Sequence, residues 1–317
     1  VNLPDTRDEN GPQGLTARLM KGNVSSTSFT SEDVMAATWN RSLIEQVGEM
    51  IGEDCLVNGY SGLYGMGNNI HRTPYSGRNF EYYSEDGFIS GQMASVEAKG
   101  IHSKGIYVFM KHAALNDSET ERAGLSTFAN EQSIREIYLK AFQYAMEENE
   151  TAGVMTAMNR IGCTWASSDA GLLRGVFRGE WNNKGMYISD NTTTHTYTSG
   201  IDGVLGGNTL FDAMMGKQYK QFVKEGKNDA VVVNALREAC HYNLYVLANS
   251  SAMNGLTSAS KVVKTIPGWK VILWIATIMC LSIFAWQTTK VWRKKGYEYN
   301  RFTISRYQRN LLDDRLH

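Results

Sequence analysis

Short apolar runs alternate with longer amphipathic stretches along the chain before Pro267. The runs predict five β-strands, at Val34–Thr38, Cys55–Gly59, Gly105–Met110, Gly153–Met158 and Gly185–Ser189. The amphipathic stretches predict helices at Ser42–Ile51, Gly91–Lys99, Glu131–Glu147, Asp169–Phe177, Thr209–Lys224 and Asp229–Ala248, with Asn130 as the N-cap of the third. Such alternation favours a parallel sheet. The predicted fold class is α/β, a TIM-like (β/α)8 barrel, which takes roughly 250 residues.

A longer apolar run follows Pro267. Residues 271–286 carry no charge, and the stretch approaches the roughly 20 residues that a membrane-spanning helix needs. Its length alone would also permit a buried core helix. Trp269 and Trp292 lie where interfacial aromatic residues belong, and Lys290 and a basic triplet at 293–295 follow. These flanks favour a single C-terminal transmembrane helix.

The two patterns together predict four regions. We expect a barrel domain at 1–248, a Ser/Asn/Gly-rich linker at 249–268, a transmembrane helix at 269–289 and a basic cytoplasmic tail at 290–317. Basic residues are denser after the span than before it, which places the tail in the cytoplasm and the barrel outside the cell. The expected localisation is therefore the cell membrane, with one pass, and the lipid bilayer is a partner.

The balance of charges and the spacing of the cysteines argue against nucleic-acid-binding and metal-binding functions. Lysine plus arginine and aspartate plus glutamate number 32 each, so no net field attracts nucleic acid, and we expect no nucleic-acid partner. The four cysteines show no metal-ligand spacing and are interpreted as buried apolar residues. We expect no metal and no cofactor.

Polar residues follow three of the predicted strands directly. They are Lys111 and His112, Asn159 and Arg160, and Asp190. In a (β/α)8 barrel the chemistry lies at the carboxyl ends of the strands. A single polar residue there is more often a turn or cap residue, but three consecutive strands ending this way predict a site. Positive charge beside an aspartate favours its charged form.

Several segments resemble glycoside hydrolase family 3, the β-glucosidase family. Residues 77–86 (GRNFEYYSED) are similar to the family's GRNFEYFSED, and 111–116 (KHAALN), followed by Glu119-Thr120, are similar to KHFALN followed by ET. REIYL at 135–139, MTAMNR at 155–160, RGEW at 178–181 and Ser189-Asp190 continue the series. The matches keep the family's order from Gly11 to about Asp202 and identify the chain as the barrel domain of a member.

The resemblance implies a retaining β-glycosidase of the β-glucosidase type. Asp190 would be the nucleophile that forms a covalent glycosyl-enzyme with a β-linked glycoside or oligosaccharide. Arg78, Lys111 and His112 would bind sugar hydroxyls, and Glu119 and Arg122 would brace a loop. Two structural alternatives remain open: Arg78 paired with Glu81, Glu85 or Asp86, and His112 as a neutral core histidine.

Three positions depart from the family pattern. Asn10 stands where the family has an aspartate that binds sugar hydroxyls, which should weaken binding. Met158 replaces an aromatic residue at another sugar-binding position, and Asn191 replaces a tryptophan after the nucleophile. These changes keep open a catalytically silent sugar-binding membrane protein. A β-xylosidase or a β-N-acetylglucosaminidase is the alternative among enzymes.

The resemblance also implies missing parts. Retaining hydrolysis needs a second carboxyl group, which in this family comes from an α/β sandwich domain. We expect that domain upstream in a longer parent chain, because the barrel starts late, incomplete at its N-terminus, and the chain is interpreted as a fragment. Two glycosylation sequons, at Asn116 and Asn191, would lie in the cleft. Glycans at these positions would block the substrate. The two sequons therefore favour a bacterial cell surface, where such motifs are not read as glycosylation signals.

Overall fold

A computed structural model describes residues 27–192, 197–214, 216–257, 259–261 and 266–313. The chain divides into two compact units, Val1–Gly255 and Leu256–His317. Residue Asn10, one of the predicted sugar-binding positions, lies outside the described residues.

A five-stranded parallel sheet forms the centre of the first unit, as the alternating pattern predicts. Eight strands are present in the described residues: β1 Gly62–Gly67, β2 Tyr107–Ala113, β3 Ser126–Thr127, β4 Gly153–Thr156, β5 Arg160–Ile161, β6 Thr164–Trp165, β7 Tyr187–Ser189 and β8 Leu210–Phe211. The main sheet has the order β1-β2-β4-β7-β8, and β3, β5 and β6 form a small second sheet. Together with the helices this is a TIM-barrel-like α/β fold.

Helices precede, connect and follow the strands of the main sheet. They are α1 Glu32–Ala37, α2 Arg41–Val57, α3 Gly87–Ser103, α4, α5 Gly171–Glu180, α6 Gly200–Gly206, α7 Gly216–Gly226 and α8 Ala230–Ala248. Helix α4 begins at Glu131–Ser133, passes through a π-helical turn at Ile134–Tyr138 and continues as Lys140–Glu148. The predicted cap Asn130 is confirmed, since its side chain accepts a hydrogen bond from the Ser133 backbone N–H at 2.8 Å.

Both faces of the sheet are covered, which explains the nearly continuous apolar strands. The largest cluster of buried apolar side chains lies between the sheet and helices α2 to α5. A second cluster, on the opposite face, contains Phe109, Met155, Ile188 and Val246. The strands that carry the predicted site are therefore fixed from both sides.

Two of the five predicted strands are wrong. Residues 34–38 lie mostly in α1, where Glu32, Met35 and Ala36 are buried at the helical spacing i, i+3, i+4. Residues 55–59 belong to the end of α2, whose chain turns at Gly59 with φ of 74°. Short apolar runs do not distinguish strand from helix by periodicity.

A glycine-rich segment, Gly62–Gly67, forms β1 instead. Its composition carries little strand propensity, but packing requires the glycine at position 67. A Cβ atom there would lie 1.9 Å from the backbone oxygen of Glu81. The absent side chain lets the loop that carries Glu81 lie directly against the strand.

Two further predictions need correction. The predicted helix Thr209–Lys224 begins with β8, because residues 210 and 211 pair with β7, and only its later part is helical, as α7. Cys55 is buried as predicted, but Cys163, Cys240 and Cys280 are exposed. Cys163 lies in the turn between β5 and β6, and Cys240 lies on an exposed part of α8.

The second unit contains one long helix, α9, at Gly268–Asp313. It is the one helix of the described residues that is long and apolar enough to cross a membrane, by length and composition only. Helix α9 continues without a break beyond the predicted span at 269–289. The boundaries proposed from sequence at 248, 268 and 289 remain predictions.

Candidate active site

Three neighbouring strands bring the predicted polar residues to one edge of the sheet. Strand β2 contains Lys111 and His112, β4 lies between β2 and β7, and Asp190 follows β7 directly. All three strands are parallel, so their carboxyl ends share an edge. The pairing of β2 with β4 shifts register between Lys111 and Ala113. Such an irregularity re-aims a side chain, and it lets two consecutive residues contact the same site.

The Asp190 carboxylate is held in place by three neighbours. Its Oδ1 accepts a hydrogen bond from the Asn191 backbone N–H at 2.7 Å, and its Oδ2 accepts one from Arg122 Nη1 at 3.2 Å. The Nε2 atom of His112 lies 3.5 Å from the same Oδ2. Asp190 is 9 % exposed, so part of the carboxylate still faces the mouth of the site.

Alternating charges continue from Asp190 into the loop after β1. The Nε atom of Arg122 lies 3.0 Å from Glu119 Oε2, and Arg78 Nη1 lies 3.7 Å from Glu119 Oε1. Arg78 also pairs with Glu81, whose other oxygen is 3.2 Å from Lys111 Nζ. We call these six residues, Arg78, Glu81, Lys111, Glu119, Arg122 and Asp190, the ion-pair network.

The charges of the network keep Glu81 ionised despite its burial. Burial alone would raise the pKa of Glu81, but the hydrogen bond from Arg78 and the charge of Lys111 outweigh it and hold that pKa below its usual range. Arg78 thus forms the ion pair with Glu81 that was expected as a structural alternative, and its sugar-binding role stays a prediction. Its guanidinium also approaches His112 Nε2 at 3.4 Å, which keeps it beside the cleft.

His112 is uncharged at neutral pH. Burial and the positive charges of Arg78, Lys111 and Arg122 lower its pKa well below the usual value. The backbone of His112 is fixed by the Asn69 side chain, which accepts from its N–H at 2.7 Å and donates to its oxygen at 3.1 Å. A neutral imidazole in this place can donate a hydrogen bond to a ligand hydroxyl or accept one from it, depending on the tautomer.

The polar residues after β4 support the site from outside. Arg160 donates two hydrogen bonds, at 2.9 and 2.6 Å, to the Gly124 oxygen, two residues from Arg122. The Asn159 side chain donates to the Ala114 oxygen at 3.1 Å. Both residues thus hold the loop after β2, and neither contacts Asp190. Strand-end position alone did not separate these supporting residues from the ones that line the cleft.

Of the predicted site residues, the structure brings four together: Arg78, Lys111, His112 and Asp190. Met158 is buried after β4, and its backbone oxygen accepts a hydrogen bond from the Tyr197 hydroxyl at 2.8 Å. Sequence reasoning assigned Arg122 only to loop bracing and missed its contact with Asp190. The available signal was its place in the loop after β2, which begins at the same sheet edge.

A buried carboxyl group, Asp117, lies beneath this cluster. It is 4 % exposed and accepts a hydrogen bond from the Ile70 backbone N–H at 2.5 Å. Burial raises its pKa to about 7, although Ile70, the charge of Arg72 and Asn69 act in the opposite direction. The carboxyl group joins the loops after β1 and β2, which carry Arg78 and Arg122.

The contribution of Asp117 to stability should therefore fall between about pH 4 and pH 7. In this window the unfolded chain has released the Asp117 proton while the folded chain retains it, so this group's share of the free energy of unfolding falls as pH rises. Below the window both states are protonated, and above it both are charged. Asp117→Asn has no proton to release, and its stability relative to the wild type should rise across the window by up to about 4 kcal/mol.

Urea unfolding of both proteins at pH 4.5 and pH 8, followed by tryptophan fluorescence, measures this difference. Asp202→Asn, at an exposed aspartate, is the matched control. A difference between Asp117→Asn and the wild type that does not change with pH would contradict the prediction.

Comparison with known proteins agrees with this geometry. Residues 12–202 match the family model described as the glycosyl hydrolase family 3 N-terminal domain. The chain is 33 % identical over 259 residues to β-glucosidase B of Emericella nidulans, covering 80 % of this chain and 30 % of the relative. It is 33 % identical over 242 residues to thermostable β-glucosidase B of Acetivibrio thermocellus, covering 74 % and 32 %.

Solved structures give the same result. The structure of β-glucosidase 3B from Thermotoga neapolitana in complex with glycerol is similar with a TM-score of 0.66 and 33 % identity, covering 77 % of this chain and 35 % of that one. The chain thus spans about a third of the length of these relatives. Because the family model covers more than half of the chain, the protein belongs to glycosyl hydrolase family 3.

Proposed function

We propose that the chain carries the nucleophile-bearing barrel of a retaining β-glycosidase of the β-glucosidase type. The observation that carries this proposal is the Asp190 carboxylate, which is fixed by Arg122 and the Asn191 N–H at the carboxyl end of β7. In the first step this carboxylate attacks the anomeric carbon and the aglycone departs. Water then releases the sugar from the covalent intermediate.

Two cationic side chains and the neutral His112 around Asp190 bind the sugar. Arg78, Lys111 and His112 supply hydrogen-bond donors within the same cleft, and hydrogen bonds to ring hydroxyls strengthen in an oxocarbenium-like transition state. Arg122 orients the nucleophile through its 3.2 Å contact. We assign Asn10 and Met158 to the same sugar site from the family pattern. The relatives named above are β-glucosidases, which favours a β-glucoside over a xyloside or an N-acetylglucosaminide.

The acid/base group comes from outside this chain in our proposal. Glu81 and Glu119 each contact two cations of the ion-pair network, so neither is placed to hold a proton for the leaving group. An α/β sandwich domain, expected upstream in the parent chain, would supply the second carboxyl group about 5–5.5 Å from the nucleophile. The chain's span of about a third of its relatives leaves room for such a domain.

Covalent trapping tests this function with the chain itself. A 2-deoxy-2-fluoro-β-D-glucoside with a dinitrophenolate leaving group needs little protonation of the aglycone, so it bypasses the acid/base group. We expect intact-mass spectrometry of the full chain in detergent micelles to show one added fluoroglucosyl group. Peptide mapping should place that group on Asp190. An unmodified protein, or a label on another residue, would contradict the assignment.

We also propose that α9 anchors the protein in a membrane. Large apolar side chains such as Ile272, Ile278 and Phe284 are exposed at 64–69 %, and an uncovered apolar surface of this length favours lipid as its partner. The helix of 46 residues is about 69 Å long, more than twice the hydrocarbon thickness. Its basic part after Thr289 therefore extends beyond the span.

The charge distribution orients the anchor. The basic part belongs in the cytoplasm by the positive-inside rule, and the barrel then faces outward, on a bacterial cell surface. The sequon at Asn116 agrees with a cell surface whose proteins carry no N-glycans. Asn116 is 1 % exposed, so it cannot carry a glycan in the folded domain.

Deleting residues 267–317 should release the protein into the soluble fraction, because the described residues contain no second helix of this length and apolar character. Fractionation of cells that express the full and the shortened chain measures the effect. A deletion of 300–317, which keeps the apolar stretch, is the matched control and should stay in the membrane. Retention of the shortened chain in membranes would mean that another segment binds lipid.

A further inference from the structure

A second carboxyl group lies next to Asp190 and outside the ion-pair network. Asp212 follows β8 as Asp190 follows β7, and the two strands pair with Ser189 opposite Phe211. One residue further along both strands, Asp190 and Asp212 are therefore neighbours. Two hydrogen bonds between backbone and side chain hold the two positions together. The Asp212 backbone N–H donates to Ser189 Oγ at 3.1 Å, and Thr192 Oγ1 donates to the Asp212 backbone oxygen at 2.9 Å.

Strand alternation, continued by one residue beyond each strand, places both carboxyl groups on the same side of the sheet. Ile188 and Leu210, two residues earlier on β7 and β8, pack in the same apolar cluster. Side chains at positions i and i+2 of a strand share a face. Asp190 and Asp212 thus lie above this cluster, at the mouth formed by the carboxyl ends of the strands, and Asp212 is half-buried there.

The Asp212 carboxylate accepts a hydrogen bond from the Ala213 backbone N–H and keeps further acceptor capacity. Among the residues that the structure describes, no cation and no side-chain donor contacts its carboxylate, whereas Glu81 and Glu119 are each paired with two cations. The groups that act on it are the Ala213 backbone N–H and the negative charge of Asp190. Tyr64 on β1 is the other titratable neighbour, and its own pKa is raised to about 12 by burial and by Asp212.

We propose that Asp212 is a substrate-binding residue of this site and that its carboxylate accepts hydrogen bonds from the hydroxyl groups of the sugar bound at Asp190. A sugar supplies neutral donors and adds no charge beside Asp190, which suits a carboxylate without a cation. Bonds from a hydroxyl to a carboxylate are about twice as strong as those between neutral groups. The inference rests on the proposed function, because it places the sugar at the nucleophile.

Sugar affinity should then rise with pH. Burial, and next the charge of Asp190, raise the pKa of Asp212 above its usual value. Below that pKa the protonated group offers a weaker acceptor, and above it the carboxylate is available. The amide of Asp212→Asn has no such transition, so the affinity of this variant should not follow the same pH dependence.

The test measures the binding of methyl β-D-glucoside to the full chain in detergent micelles. Saturation-transfer NMR gives the dissociation constant between pH 4 and pH 8. Asp212→Asn should raise the dissociation constant at pH 8 by about 10-fold or more. Asp212→Glu, which keeps the charge, should recover part of the affinity. Asp202→Asn removes an exposed carboxylate and should bind like the wild type. Circular dichroism checks that each variant is folded.

The outcomes separate this inference from the proposed function. If the wild type forms the fluoroglucosyl adduct but folded Asp212→Asn binds methyl β-D-glucoside as tightly as the wild type at every pH, the role of Asp212 is refuted and the glycosidase assignment stands. Loss of affinity in Asp212→Asn, with recovery in Asp212→Glu, supports the sugar-binding role of Asp212. This conclusion also holds if the wild type binds the sugar but does not form the fluoroglucosyl adduct. A wild type that neither binds nor reacts refutes both proposals.

Discussion

Replacing Asp190 by asparagine should eliminate covalent trapping and lower the release of dinitrophenolate from the activated glucoside by about 10⁴-fold or more, because an amide oxygen does not form the glycosyl ester. The exchange keeps the size of the side chain, and one oxygen can still accept the Asn191 N–H bond at 2.7 Å. Fold and sugar binding should therefore change little. Stopped assays of phenolate release, combined with intact-mass spectrometry, measure the loss.

The comparison needs two controls. Asp202→Asn changes another aspartate to an amide and should react like the wild type. A preparation of Asp190→Asn made in parallel excludes a contaminating glycosidase if it is inactive. If Asp190→Asn forms the adduct, or retains more than a small fraction of the rate, another residue is the nucleophile.

The full chain should cleave an activated aryl β-glucoside far better than a disaccharide such as cellobiose. Departure of a sugar alcohol requires a proton donor, and general acid catalysis typically contributes about 10²–10⁴-fold. Glu81 and Glu119 are paired with cations, so neither of these two carboxylates is placed to donate a proton to the leaving group. Phenolate release and glucose release at equal enzyme concentration measure the two reactions.

Efficient cellobiose cleavage would contradict this expectation and the proposed external acid/base group. Asp212 would then be the first residue to examine as an internal acid, since it is half-buried beside Asp190 and its pKa is raised. Asp190→Asn must abolish the cleavage in that case as well, which ties the activity to this site.

The sequence determined the parts of the fold and the site that depend on local pattern. Strands β2, β4 and β7 were predictable because each is a buried apolar run of the required length next to a glycine or a turn. Lys111, His112 and Asp190 followed from the rule that parallel strands share their carboxyl edge. The apolar character of α9 also lies in consecutive residues and needs no packing to be recognised.

Tertiary structure decided what depends on distant partners. Helix α1 and strand β1 have weak local signals, and β1 exists because Gly62–Gly67 pairs with β2 and leaves space for the Glu81 backbone. The contact of Arg122 with Asp190 joins residues 68 positions apart. The register of β7 and β8 places Asp212 beside the nucleophile. A sequence records which charges are present, but Coulomb interactions depend on distance, and only the folded chain sets the distances.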